Sequence, residues 1–150
     1  MTLVIIDMQP SFEACNDAAE AVAKEVHRAR ERRTGIIVVE YYSCGPTHRL
    51  IQQAIRGYDR QAWVTKDDDN GGREVVAAAR EHKFWNKSWR FCGVNTCYCV
   101  SETVKSVIRT YPMARFEYAV DAMNCTCYNP RACGKYFNFK ATLNKNHRIV

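Results

Sequence analysis

The chain has 150 residues, 47% of them hydrophobic and 25% charged, enough for one domain around a continuous core and too little for two. No apolar run approaches the length of a membrane span. The opening Met1-Thr-Leu-Val-Ile-Ile-Asp7 is too short and too uncharged at its front for a secretory signal, so a soluble, cytoplasmic protein without membrane contact is expected. The net charge of +6 is modest. Much of the basic charge falls in His27-Arg-Ala-Arg-Glu-Arg-Arg33, at the end of a predicted helix, where it complements the helix dipole. Without interleaved aromatics or a recognisable motif, that run does not argue for nucleic-acid binding.

In chain order, Leu3-Val-Ile-Ile6 is a β-branched run closed by Asp7, which sets a carboxylate at the carboxyl end of a buried strand. Ala18, Val22, Val26 and Ala29 mark a helix, and Gly35 follows it as a stop. Ile36 to Tyr42 reads as the second strand. After the loop Ser43-Cys-Gly-Pro-Thr47, Thr47 is placed to cap a helix carrying Leu50, Ile51, Ala54 and Ile55. Gln61 to Thr65 is a third strand ending at Lys66. Asp67-Asp-Asp-Asn-Gly-Gly72 must turn, and its acidic residues precede a helix holding Val75, Val76 and Ala79.

Trp89 to Val94 is again short and apolar. Val100, Thr103, Val104, Val107, Ile108 and Tyr111 then recur at helical spacing. Asn95 or Thr96 is placed to cap this helix, and a cap at Thr96 puts Cys99 in the first helical turn, where the positive end of the dipole lowers a thiol's pKa and N–H groups can hold an oxyanion. A small buried apolar cysteine is the plainer reading of the same residue. Arg115 to Val120 alternates as a fifth strand ending at Asp121. A Cys-rich loop from Asn124 to Gly134 follows, then a weakly helical stretch through Phe137, Ala141 and Leu143, and a short edge strand at Ile149 and Val150.

Strand alternating with helix predicts a single α/β domain over residues 1–150. The fold class is a three-layer α/β/α sandwich with a mostly parallel, Rossmann-like sheet of five to six strands. The eight cysteines are expected to be reduced, because a domain with a proper core has little need of staples. The Cys-x-Cys pairs Cys97/Cys99 and Cys125/Cys127 leave a metal or redox role open, although structural zinc sites usually space their ligands by two to four residues.

Asp7, Lys66 and Cys99 each close a strand or start the turn after it, and parallel strands bring those ends to one edge of the sheet. There an aspartate can take a thiol proton, and an ammonium stabilises both anions. With this triad in view, three motifs resemble the isochorismatase-like cysteine hydrolase superfamily, which includes nicotinamidases, N-carbamoylsarcosine amidase and isochorismatases. Leu3-Val-Ile-Ile-Asp-Met-Gln-Pro-Ser-Phe12 is similar to the opening strand with its Asp-x-Gln-x-x-Phe, and Val64-Thr-Lys66 to the strand bearing a catalytic lysine. Gly93-Val-Asn-Thr-Cys-Tyr-Cys-Val-Ser-Glu-Thr103 is similar to Gly-Val-x-Thr-x-x-Cys-Val-x-x-Thr, the most specific of the three. The resemblance covers most of residues 1–121.

The resemblance implies Asp7 as base, Lys66 as electrostatic partner and Cys99 as nucleophile of a covalent acyl-enzyme. It also implies a cis peptide between Val94 and Asn95, turning the Asn95 N–H beside that of Cys99 as an oxyanion hole. Phe12 matches a residue lining the substrate pocket, and Gln9 a structural position. The Asp-x-His of nicotinamidase metal sites has no counterpart in Tyr42-Ser-Cys-Gly-Pro-Thr-His48, so no metal and no cofactor are expected. The chain is shorter than most members between Lys66 and Gly93. Retention of the cysteine favours acyl transfer over vinyl-ether hydrolysis. The expected activity is cleavage of an amide or ureido C–N bond in a small molecule, by a homo-oligomer whose pocket walls come from loops and a neighbouring subunit. Tyr41, Tyr42 and Trp63 are candidates for wall or core. A catalytically silent binding protein of the same fold is the alternative from another class.

Overall fold

The β-branched run that opens the chain forms the central strand of the structure, a computed structural model that describes residues 1–84, 86–126 and 147–149. β1 (Thr2–Ile6) is buried along its whole length. It pairs in parallel with β2 (Gly35–Tyr41) on one side and β4 (Ser88–Val94) on the other. β3 (Gln61–Lys66), β5 (Arg115–Asn124) and β6 (His147–Ile149) complete a six-stranded parallel sheet in the order β3-β2-β1-β4-β5-β6.

The two-residue period of the strands sorts their side chains between two faces. Leu3, Ile5, Ile36 and Val38 pack with Ala18, Val22 and Val26 of α1 (Ala14–Glu31) and with Ile51 and Ile55 of α2 (Arg49–Ile55). On the other face Val4, Ile6, Ile37 and Val39 pack with Val75 and Ala79 of α3 (Gly72–Glu81) and Val104 and Val107 of α4 (Ser101–Thr110). Trp89, Phe91 and Phe116 stack on that second face with centroids 6.4 and 6.5 Å apart. Each fully buried side chain of this size contributes about 1.5–3 kcal/mol. The result is the three-layer α/β/α sandwich that the alternation of periods predicts. Among the described residues no helix is long and apolar enough to cross a membrane.

The chain builds outward from β1 to β3 in one direction and from β4 to β6 in the other. The switch point therefore lies between β1 and β4, where open α/β sheets leave a crevice at the carboxyl ends of their strands.

Two local expectations are corrected, and one falls on residues that are not described. α2 is capped by His48, whose Nδ1 accepts the Leu50 N–H at 3.2 Å. Thr47 is instead buried, giving both its N–H (2.7 Å) and its hydroxyl (2.8 Å) to Glu40 Oε1. β5 does not stop at Asp121. A register shift against β4 between Phe91 and Gly93 lets it run on to Asn124, leaving Asp121 exposed within the strand. The predicted helix through Phe137, Ala141 and Leu143, with Cys127, Cys133 and Val150, lies outside the described residues.

Candidate active site

Asp7 follows the last residue of β1, where Ile6 pairs with Val39 and Gly93. Its N–H continues the ladder to Val39 O at 2.9 Å, but its φ of 54° ends the strand and turns the side chain out of the sheet's alternation. A left-handed non-glycine residue is uncommon and carries some strain. Across the switch point, Gly93 has φ +127°, and a Cβ there would lie 2.1 Å from Ile6 O. Only glycine lets β4 approach the Asp7 corner this closely.

Lys66 ends β3, two strands away, and its side chain reaches over β2 to the same corner. Its Nζ lies 3.1 Å from Asp7 Oδ2, with the two side chains 1% and 0% exposed. The ammonium also donates to Asp68 O at 2.9 Å and sits 4.2 Å above the Tyr41 ring, a cation–π contact. Despite the ion pair, neither Asp7 oxygen receives an aligned hydrogen bond from a described residue. A buried carboxylate normally satisfies several acceptor positions; this one relies on the Lys66 ammonium and the neighbouring Cys99 thiol.

Cys99 is brought to the corner by the segment after β4. Thr96–Val100 forms a single π turn, with Val100 N–H donating to Asn95 O at 3.3 Å, and α4 continues from it. π turns are rare and recur at functional sites. The expected Thr96 cap is absent. The Thr96 hydroxyl donates to Asn124 O at 2.8 Å, tying the turn to the end of β5. The Val94–Asn95 peptide is trans, since the described residues contain no cis bond, and the chain reverses through Asn95 at φ 58°, ψ 50°. Asparagine tolerates that left-handed conformation better than most residues.

The three groups therefore meet, and their electrostatics differ from the sequence reading. Burial raises the Cys99 thiol well above its ordinary pKa, the Asp7 charge adds to this, and Lys66 opposes it. The low-pKa thiolate expected from the helix end is thus overridden by desolvation. Burial also raises Asp7, against the pull of Lys66 and the neighbouring thiol. One buried cation balances one anion, so the resting pair is a carboxylate with a thiol. Its proton can pass from sulfur to Asp7 without changing the net charge of the pocket.

Phe12, the expected pocket residue, is half-buried with its ring edge-on to Tyr41, centroids 6.3 Å apart. Phe12, Tyr41 and Lys66 thus form a continuous run beside Asp7. Gln9 is structural: its amide exchanges hydrogen bonds with Tyr41 N and O at 2.7 and 2.9 Å and donates to Gly45 O at 2.6 Å, extending the β2 ladder by side chain. Tyr42 and Trp63 are exposed and not part of the core, Trp63 on the edge strand β3 and Tyr42 with its N–H donating to Lys66 O at 2.8 Å. No disulfide joins the six described cysteines. Cys97 and Cys125 bring their sulfurs to 3.6 Å. No group of three or more potential metal ligands occurs among the described residues.

Asp69 was not singled out by the sequence, where the run Asp67 to Asp69 reads as a helix-preceding turn. Its Oδ1 lies 3.5 Å from Cys99 Sγ. The signal available was only the position of this run, directly after Lys66.

No protein-family model matches the sequence, and no curated protein matches it. Solved structures share the fold. The nicotinamidase SaPncA from Staphylococcus aureus superposes with a TM-score of 0.80 at 12% identity, over 99% of this chain and 95% of its own. YcaC from Escherichia coli, described as an octameric hydrolase of unknown specificity, gives 0.77 at 13% identity, over 99% and 74%. MAR1 ribonuclease from Caenorhabditis elegans gives 0.70 at 15% identity, over 93% and 70%. The likeness is one of fold, and the named activities of these neighbours differ from one another.

Proposed function

We propose that this protein is a hydrolase that cleaves a C–N bond of a small amide or ureide through a covalent intermediate on Cys99, without a metal or cofactor. What supports the reading above all is the buried Lys66–Asp7 pair at 3.1 Å beside the Cys99 thiol, with both Asp7 oxygens lacking an aligned hydrogen bond.

In this reading Cys99 Sγ attacks the substrate carbonyl carbon as its proton moves to Asp7. The tetrahedral oxyanion is held by the backbone N–H of Cys99, the trans Val94–Asn95 peptide leaving the expected Asn95 contribution without its basis. Asp7 returns the proton to the leaving nitrogen, the C–N bond breaks, and an acyl-thioester remains. Asp7 then takes a proton from water as its oxygen attacks the thioester, and the thiol is regenerated with release of the acid. Lys66 holds the pocket's charge balanced throughout, because its partner anion is on sulfur, carboxylate or substrate oxygen in turn. Phe12 and Tyr41 supply one wall. A homo-oligomer, as named for YcaC, supplies further walls.

The test is a screen of small amides and ureides against wild type and Cys99→Ala, followed by intact-mass analysis during turnover. Hydrolysis confined to wild type, with an acyl mass on the Cys99 peptide, is expected. Equal turnover by Cys99→Ala would falsify the covalent route.

A further inference from the structure

The proposed reaction uses Asp7 and Lys66 and leaves a second carboxylate at the nucleophile unexplained. Asp69 Oδ1 is 3.5 Å from Cys99 Sγ, and among the described residues Asp69 has no ion-pair partner. The loop that carries it is held firmly. Asp67 O accepts the Tyr41 hydroxyl at 3.2 Å, Asp68 O accepts Lys66 Nζ at 2.9 Å, and the Gly71 N–H donates to Thr103 Oγ1 at 2.9 Å. Gly71 packs so tightly that a Cβ would lie 2.9 Å from Lys66 Cδ and from Val39 Cγ1. Asp69 is thus placed by the same residue that pairs with Asp7.

Asp7 cancels Lys66, so Asp69 sets the sign of the field where a substrate must approach sulfur. It is exposed, and Asp67 and Asp68 beside it are exposed as well. Deeper in the corner, Asp7 is fully buried, paired with Lys66 at 3.1 Å and close enough to Cys99 to act on its thiol, so the second wall at the sulfur also carries a carboxylate. The chain's excess of basic residues does not offset this. Its densest run, Arg28 to Arg33, lies at the far end of α1, whose 18 residues span about 27 Å, well beyond a Debye length of about 8 Å.

Resting on the proposed use of Cys99, we infer that Asp69 selects the substrate's charge: the site takes a small amide or ureide bearing a cationic group, an ammonium or guanidinium, near the scissile carbonyl, and disfavours carboxylate-bearing ones. The cation docks on Asp69 while the carbonyl carbon faces Cys99 Sγ.

The test separates charge selection from turnover. Cys99 is modified with methanethiosulfonates carrying a neutral methyl, a cationic aminoethyl or an anionic sulfonatoethyl group, and the Cys99 peptide is followed by mass spectrometry in wild type, Asp69→Asn and the remote control Asp59→Asn. Any change in thiol reactivity cancels in the cation-to-anion rate ratio. A ratio of roughly tenfold in wild type and Asp59→Asn, falling to about threefold or less in Asp69→Asn, is expected for one close carboxylate. A ratio near one in wild type, or one unchanged by Asp69→Asn, overturns the inference. Equal slowing of all three reagents in Asp69→Asn also overturns it, and makes Asp69 a base for the thiol instead. A cationic preference without any amide hydrolysis keeps the charge selection and defeats the hydrolase reading. Failure of Cys99 to react with all three defeats both.

Discussion

Among the described residues, two sets of paired charges reach into the interior, and they are built in opposite ways. Towards the amino ends of β4 and β5, Arg90 pairs with Glu25 through two bonds of 2.6 and 3.0 Å and with Glu117 at 2.9 Å, while Arg28 adds a third contact to Glu25 at 2.6 Å. Forked guanidinium–carboxylate contacts use all three Arg90 nitrogens and both Glu25 oxygens. At the carboxyl edge, Lys66 and Asp7 are more deeply buried yet share one contact of 3.1 Å, and the carboxylate is left without an aligned hydrogen bond. The saturated network resists change of protonation, whereas the undersatisfied one is poised for it. Burial of charge alone does not mark a reactive site; burial with unfilled acceptors beside a nucleophile does.

The largest effect should come from the nucleophile. Cys99→Ala is expected to lower turnover about a thousandfold or more while retaining a cooperative unfolding transition, because it removes a small group. Assay and urea melt together check this, and retained turnover breaks the contrast between the two edges.

Next comes the pair itself. Lys66→Met leaves Asp7 buried without a countercharge and should destabilise the fold by about 3–5 kcal/mol. The double variant Asp7→Asn with Lys66→Met should recover most of that loss, since replacing both partners removes the stranded charge. If the double variant is no more stable than the single one in urea unfolding, the pair is not coupled as described.

Arg90→Met tests the other edge. Arg90 and Glu117 are partly reached by solvent, so a smaller loss of about 1–3 kcal/mol is expected, with the pH profile of Cys99 alkylation untouched. A shifted profile would mean that the two charge sets communicate.

The profile itself sharpens the comparison. Burial and the Asp7 charge both disfavour the thiolate, so the folded pKa stands above the ordinary 9.0. Alkylation of Cys99 should keep rising with pH beyond 9, where an exposed thiol levels off. Lys66→Ala removes the one opposing charge and should move the curve further up, while Lys83→Ala should overlie wild type. A plateau near neutral pH would restore the helix-dipole thiolate that the sequence suggests. The smallest expected effect is that of a chelator. With no Asp-x-His between Tyr42 and His48, and with His48 Nδ1 engaged as a helix cap, the rate should stay unchanged.

Much of this was legible without coordinates. The switch between periods of two and near four residues dictates which segments become strands and helices, so the layering and the parallel sheet follow from local pattern. The positions of Asp7, Lys66 and Cys99 at strand ends follow from it as well. Backbone detail was less accessible: Thr96 looks like a cap, yet its hydroxyl is drawn to Asn124 O, whose position depends on a register shift in β5.

What tertiary structure alone decided is how those residues behave. A strand-end lysine and aspartate read equally well as solvated charges; only the reach of Lys66 over β2 makes them a buried pair. The thiol's pKa is a contest between dipole and desolvation, and burial is a property of the assembled layers. Asp69 joins the site because Lys66, Tyr41 and Thr103 hold its loop against the π turn. Contacts between residues some thirty positions apart carry no periodic signal in the sequence. Local order is encoded by nearest neighbours, whereas charge state and proximity depend on what packing excludes from water.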